Sequence, residues 1–223
     1  MTEFWTAIGL MASFLALRRL ARSHKWSAFI PYLAVLGLGL LFALSSTVTL
    51  DRLRQYFTPP PDIAGFLSQV AMTVILGLGG AVLYILLHKV FRLPSSDDNN
   101  PYERFLNAKP YQFCIFVTLY LPVMAALEEL VFRVAFIGLG LSDDSTNVET
   151  ICLVLMSSII FGLDHLSKER PGQAIHAGIA GLIWGFAFTI SGSIWVPLVA
   201  HTLHNLIFFT ALYVRLQISP EVE

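Results

Sequence analysis

LYLPVMAALEELVFRVAFIGLG, residues 119–140, is apolar enough at both ends to lie in lipid, yet it carries Glu128, Glu129 and Arg133 in its middle. An ionised side chain at that depth costs about 2.5 kcal/mol or more on insertion scales, so three of them need a physical reason. Helical geometry sorts them. Glu129 and Arg133 are four apart and stack on one face, where a salt bridge neutralises both. Glu128 is turned by about 100° from Glu129 and has no such partner within its own helix. A carboxyl group in an apolar setting holds its proton more tightly, which suits a group that accepts and returns protons near neutral pH. Glu129 and Arg133 therefore read as structural and Glu128 as the reactive group.

The surrounding chain supports a lipid environment. Of its 223 residues 56% are hydrophobic and 13% charged, with mean hydropathy +0.69, where soluble domains carry about a quarter charged residues. This is the composition of an integral membrane protein. A net charge of −1 offers no basic field and excludes nucleic acid as a partner. Cys114 and Cys152 fall inside apolar segments without metal-type spacing and read as small buried hydrophobes.

Seven apolar segments stand out: residues 3–17, 27–50, 63–87, 111–141, 151–166, 174–190 and 194–213. The fold class is all-α, a polytopic membrane helix bundle of about seven transmembrane helices. Gly77, Gly79 and Gly80 in the third segment invite a close neighbour. The fourth is too long for one straight crossing of a core about 30 Å thick, so a kink at Pro122, or a split that makes eight helices, is expected. With the N-terminus outside and seven crossings, the inner loops hold eleven Lys or Arg residues and the outer loops only Arg52 and Arg54. That asymmetry places the C-terminus in the cytoplasm. The whole chain reads as a single membrane domain, with variable spans over 1–110 and a catalytic core over 111–213. A chain without a soluble domain or retrieval signal suggests a bacterial-type inner or plasma membrane.

Two further residue pairs at helical spacing lie in membrane-facing sequence. Phe161 and His165, in FGLDHL, are four apart near the inner end of the fifth segment, and His201 and Asn205, in HTLHN, are four apart in the seventh. Counting about 1.5 Å per residue from the outer ends puts Glu128 roughly 20 Å deep, His165 roughly 21 Å, Asn205 roughly 16 Å and His201 roughly 10 Å. One polar site inside the bundle accounts for the overlap. Duller readings stand beside it: Glu129 with Arg133 as an interhelix staple, Asp164 with Lys168 as a helix-surface pair, and His201 with Asn205 as polar glue. His24, His88, His176 and His204 read as packing or surface residues.

The residue types narrow the chemistry. HExxH is absent, and no serine or cysteine stands in a nucleophile motif, so a zinc-bound water and a covalent acyl-enzyme both lack support. A glutamate that deprotonates water, an imidazole that shuttles the proton and neutral donors for a tetrahedral oxyanion remain, which is non-covalent amide hydrolysis. No cofactor is expected, with a divalent metal such as zinc as the alternative.

EELVFR, FGLDH and HTLHN, in this order on separate helices, resemble the CPBP family. That family comprises type II CAAX prenyl endopeptidases and bacteriocin-processing and self-immunity proteins, also called Abi-type intramembrane proteases. The likeness runs from Tyr120 to Asn205. It implies an intramembrane endopeptidase acting on membrane-anchored or lipidated proteins. Glu128 matches the glutamate that activates water, and His165 its partner histidine. Glu129 and Arg133 match the pair that shapes the site, and His201 and Asn205 the proposed oxyanion hole. Family members have been described both as metalloproteases and as glutamic proteases. Val134 stands where the family often has glycine, and Asp164 is an unusual neighbour for His165. A non-catalytic scaffold or immunity protein of the same fold, and a small proton-coupled transporter, are the alternatives.

Overall fold

The computed structural model describes residues 2–23, 29–45, 47–91, 109–166 and 171–218. They form eight helices and no strand: α1 (Thr2–Ser23), α2 (Phe29–Leu44), α3 (Thr47–Phe57), α4 (Ile63–Phe91), α5 (Pro110–Gly138), α6 (Asn147–Asp164), α7 (Pro171–Ser191) and α8 (Trp195–Ile218). All except α2 and α3 are long and apolar enough to cross a membrane, and α2 is a shorter apolar helix. The bundle is a polytopic α-helical membrane protein.

Several boundaries differ from the sequence expectation, and two of them matter for the site. The span drawn over 27–50 stops at Leu44, where Ser45 donates from both its backbone N–H and its hydroxyl to the Phe42 carbonyl. A serine that satisfies the last carbonyls competes with continuation of the helix. The polar residues that follow make the separate helix α3. At the other end of the chain's first segment, α1 runs past residue 17 to Ser23 and carries Arg18 within it.

α5 is one continuous element, neither split nor ended at Pro122. The turn before the proline, Phe116–Tyr120, is a π-helix whose closing bond runs from Leu121 N–H to Phe116 O. A widened turn relieves the clash of a proline ring with the carbonyl four residues back. A second π segment, Leu130–Gly138, follows the glutamates, with Leu139 N–H on Val134 O at 2.8 Å. Such segments recur at functional sites because they re-aim the side chains that follow them.

Connections sort onto two ends of the bundle. Arg52 of α3 donates to Leu141 O and pairs with Asp143. Ile194 N–H donates to Tyr56 O, and Trp195 Nε1 donates to Phe57 O at 2.9 Å. The α3–α4, α5–α6 and α7–α8 connections therefore share one end. Arg18 pairs with Asp164 at the other. Six of these helices are long and apolar enough to cross a membrane, one fewer than the seven crossings expected, and α2 is the shorter one. Lys25, Arg92, Arg104, Lys168 and Arg170, which enter the loop charge count, lie outside the described residues, as does His24. At the first end Tyr56 packs on Phe188 and donates to Gly138 O, and burial pushes its hydroxyl up to about 12. It stays a donor at any physiological pH.

Lipid tails are as apolar as leucine, so small residues and tight van der Waals contact hold such helices together. Gly77 and Gly80 of α4 meet Leu203 and His204 of α8 closely, whereas Gly79 has open space. α1 and α2 lock onto α5 through Phe14, Tyr32, Phe132 and Phe136, packed edge to face. Cys114 is exposed on the outward face of α5 and Cys152 half-buried, rather than enclosed as expected.

The tightest seam joins α6 to α7. A Cβ on Gly162 would lie 2.8 Å from Ala174 O and 3.2 Å from the Gly178 Cα. Both neighbours are backbone and cannot yield without moving a helix. Gly162→Ala is expected to destabilise the bundle by about 1–3 kcal/mol, measured by SDS-induced unfolding in mixed micelles. An unchanged midpoint would mean the seam opens at no cost.

Candidate active site

Glu128 and Glu129 sit at the junction between the α-helical and π-helical parts of α5, and both are buried. Glu129 faces Arg133 as the four-residue spacing predicts, with Nε–Oε2 at 2.9 Å and both side chains fully enclosed. The pair lies in ion-pair contact rather than in an aligned hydrogen bond, since neither atom has a hydrogen-bond partner. Arg133 also lies over the Phe161 ring, 5.5 Å from its centroid, and approaches Ser157 Oγ at 3.5 Å. Ser157 is oriented by donating to Phe132 O at 2.7 Å.

The other Glu129 oxygen reaches across to α8. His201 Nδ1 lies 2.8 Å from Glu129 Oε1, and its Nε2 lies 3.6 Å from Glu128 Oε2. One imidazole thus bridges the two glutamates. A carboxylate paired with a guanidinium only accepts, so Nδ1 carries a proton and Nε2 faces Glu128. A bare lone pair turned toward a carboxylate would be repulsive. Nε2 is thus placed to exchange a proton with Glu128. Trp184 of α7 stacks on the His201 ring at 4.2 Å and 24°, which fixes its plane.

His165 is the C-cap of α6, the first residue after its last turn. Its Nδ1 donates to Phe161 O at 2.9 Å, since a carbonyl can only accept. That tautomer leaves the Nε2 lone pair available as a base. The ring packs on Phe161 at 4.6 Å, and Phe161 also packs edge-on to His201 at 6.0 Å. Phe161 is the apolar hub around which His165, His201 and Arg133 are arranged.

The sequence expectation paired Glu128 with His165, and here the structure differs. Among the described residues no hydrogen bond or ion pair joins them, and His201 is the imidazole beside Glu128. Asn205 lies one turn beyond His201 on α8 and is half-buried. Asp164 is not a surface residue. It is buried and held by Arg18 of α1 and by Tyr32 of α2, whose hydroxyl lies 2.5 Å from Oδ2. Both Asp164 and Arg18 are within electrostatic range of Glu128. His176 and His204 stack on each other at 5.2 Å beside Trp184.

Arg18, Tyr32 and Trp184 escaped the sequence reading. Arg18 looked like part of a basic loop, and an aromatic residue in a membrane span reads as packing. Its position four residues after Phe14, on a helix face that is otherwise apolar, was the available signal for Arg18.

Fold and site together define a polytopic helical membrane protein with a buried acid–base centre built on one long central helix. Residues 110–207, somewhat under half of the chain, are similar to the family model described as type II CAAX prenyl endopeptidase Rce1-like. No curated protein and no solved structure matches the chain. The matched segment spans α5 to the middle of α8 and contains Glu128, Glu129, Arg133, Phe161, His165, His201 and Asn205.

Proposed function

We propose that the protein is an intramembrane endopeptidase that hydrolyses a peptide bond of a membrane-anchored or lipidated protein with water activated by Glu128. The observation that carries this is the His201 imidazole held between two buried glutamates, one ionised by Arg133 and the other without a cation of its own on α5.

Glu128 takes a proton from water as its oxygen attacks the carbonyl carbon of the scissile bond. His201 Nε2, one ring away from the ionised Glu129, accepts or returns that proton and so sets when Glu128 is free to act. Asn205, and an imidazole N–H of His201 when protonated, stabilise the oxyanion. His165 Nε2 shuttles a proton to the departing amine as the C–N bond breaks. Water supplies the hydroxyl of the new acid and one hydrogen of the new amine.

The donor set does not suit a cation. Glu129 is occupied by Arg133 and by His201 Nδ1, and the buried guanidinium repels positive charge. Among the described residues no group of three or more His, Cys, Asp or Glu converges on one point. Substrates arrive by lateral diffusion in the bilayer. The end bearing Arg18 and the α6–α7 connection is cytoplasmic, which leaves the C-terminus inside a bacterial-type inner membrane.

The test is a purified preparation in liposomes given a farnesylated peptide ending in a CAAX sequence, with release of the terminal tripeptide followed by mass spectrometry. Cleavage that persists in a strong chelator is expected. Cleavage lost on chelation, with stoichiometric zinc in the parent, overturns the metal-free mechanism. An intact peptide, with an unrelated transmembrane helix also left uncut, overturns the endopeptidase reading in favour of a scaffold.

A further inference from the structure

Arg18 lies far outside the matched segment, yet its guanidinium grips both oxygens of Asp164, with Nη2–Oδ2 at 3.3 Å. The Tyr32 hydroxyl shares Oδ2 at 2.5 Å, and the Arg18 guanidinium carbon lies 5.9 Å from the Tyr32 ring centroid. This clamp is itself anchored. Tyr32 packs edge-on to Phe14, one turn before Arg18, and to Phe132, the neighbour of Arg133. Asp164 ends α6, and His165 is its cap.

His201 of α8 lies 3.6 Å from Glu128, and Arg18 of α1, Tyr32 of α2 and Asp164 of α6 lie within electrostatic range of it, with Glu129 and Arg133 on its own helix. His165 lies within range of His201, as does His176 of α7. Three carboxyl groups thus share the region with two guanidinium groups. Without Arg18 there would be three against one.

We propose that Arg18 is a positioning residue of this site: with Tyr32 it clamps Asp164, which fixes the end of α6 and the His165 ring, and it supplies the cation that offsets the third carboxylate near Glu128. The active centre then depends on α1 and α2 as well as on the matched segment. The proposal rests on the endopeptidase reading for its catalytic meaning, but its electrostatic content is measurable without turnover.

Dicyclohexylcarbodiimide couples to protonated carboxyl groups in apolar surroundings, and fragment masses separate Glu128 from Glu129. Labelling of Glu128 against pH is compared in the parent, Arg18→Ala, Arg18→Lys and the Arg18→Ala/Asp164→Asn double variant. In Arg18→Ala, labelling is expected to persist about one pH unit higher, because an opposing charge has gone. Lysine restores the parent profile, and so does the double variant, which loses cation and anion together. A parent-like profile in Arg18→Ala, or a double variant that follows the single, overturns the proposal. Should Arg18→Ala not fold, Asp164→Asn decides: labelling moves to lower pH, and an unmoved profile overturns the idea.

On the peptide, Arg18→Ala is expected to lower kcat about tenfold at unchanged KM. A staple without influence on the centre would lower stability and leave kcat at the parent value. If the parent cleaves nothing while the labelling shifts as stated, the endopeptidase reading fails and the electrostatic role of Arg18 stands.

Discussion

Glu128→Gln is expected to lower kcat on a cleavable peptide by at least 10²-fold to 10⁴-fold, the span that a positioned general base contributes. The amide keeps the size and shape of the carboxyl group beside His201 Nε2, 3.6 Å away. Folding should therefore survive, with an SDS-unfolding midpoint close to that of the parent. KM should change little, because the lost function belongs to the transition state and not to substrate binding. His165→Ala and His201→Ala separate the two imidazoles: the variant that also changes the pH dependence of the residual rate is the one that shares the Glu128 proton. Glu128→Gln with parent activity would remove this residue from the chemistry and turn attention to His201 with Glu129, which are in contact at 2.8 Å.

What the sequence made legible follows from periodicity. The EExxxR spacing placed Glu129 on Arg133, and the structure has them at 2.9 Å. Loop charges implied seven crossings, and six helices are long and apolar enough to cross, with α2 the short one, while the contacts of Arg52 and Trp195 lie at one end and that of Arg18 at the other. The pairing of Glu128 was not legible. Counting residues from the outer ends gave His201 a depth about 10 Å short of Glu128, yet the two are in contact. That count assumes untilted helices with level ends, and it yields no azimuth. Whether His165 or His201 turns toward Glu128 depends on helix rotation, which neighbouring helices set. Trp184 illustrates the same limit, since its place on the His201 ring arises where α7 crosses α8. The π turns of α5 were invisible as well, because they follow from a local clash at Pro122 and from packing rather than from hydrophobic period.

Removal of the buried cation should have the largest effect on the fold. Arg133→Met takes the partner from a fully enclosed Glu129, and breaking a buried pair in this way costs about 3–5 kcal/mol because the remaining charge is uncompensated. Average polar contacts between membrane helices contribute far less, about 0.6 kcal/mol. The difference arises because this variant strands an ion instead of deleting a hydrogen bond. The pair as a whole need not be stabilising: Arg133 Nη2 has no hydrogen-bond partner, and its contact with Phe161 replaces water incompletely. The Glu129→Leu/Arg133→Met variant should accordingly regain most of the lost stability. Its activity should stay low, because His201 Nδ1 has then lost the carboxylate that orients the ring. SDS unfolding and peptide cleavage measured on the same preparations separate these outcomes. A double variant as unstable as Arg133→Met would show that the pair holds the bundle together, and one that recovers both stability and turnover would show that His201 needs no anchor on α5.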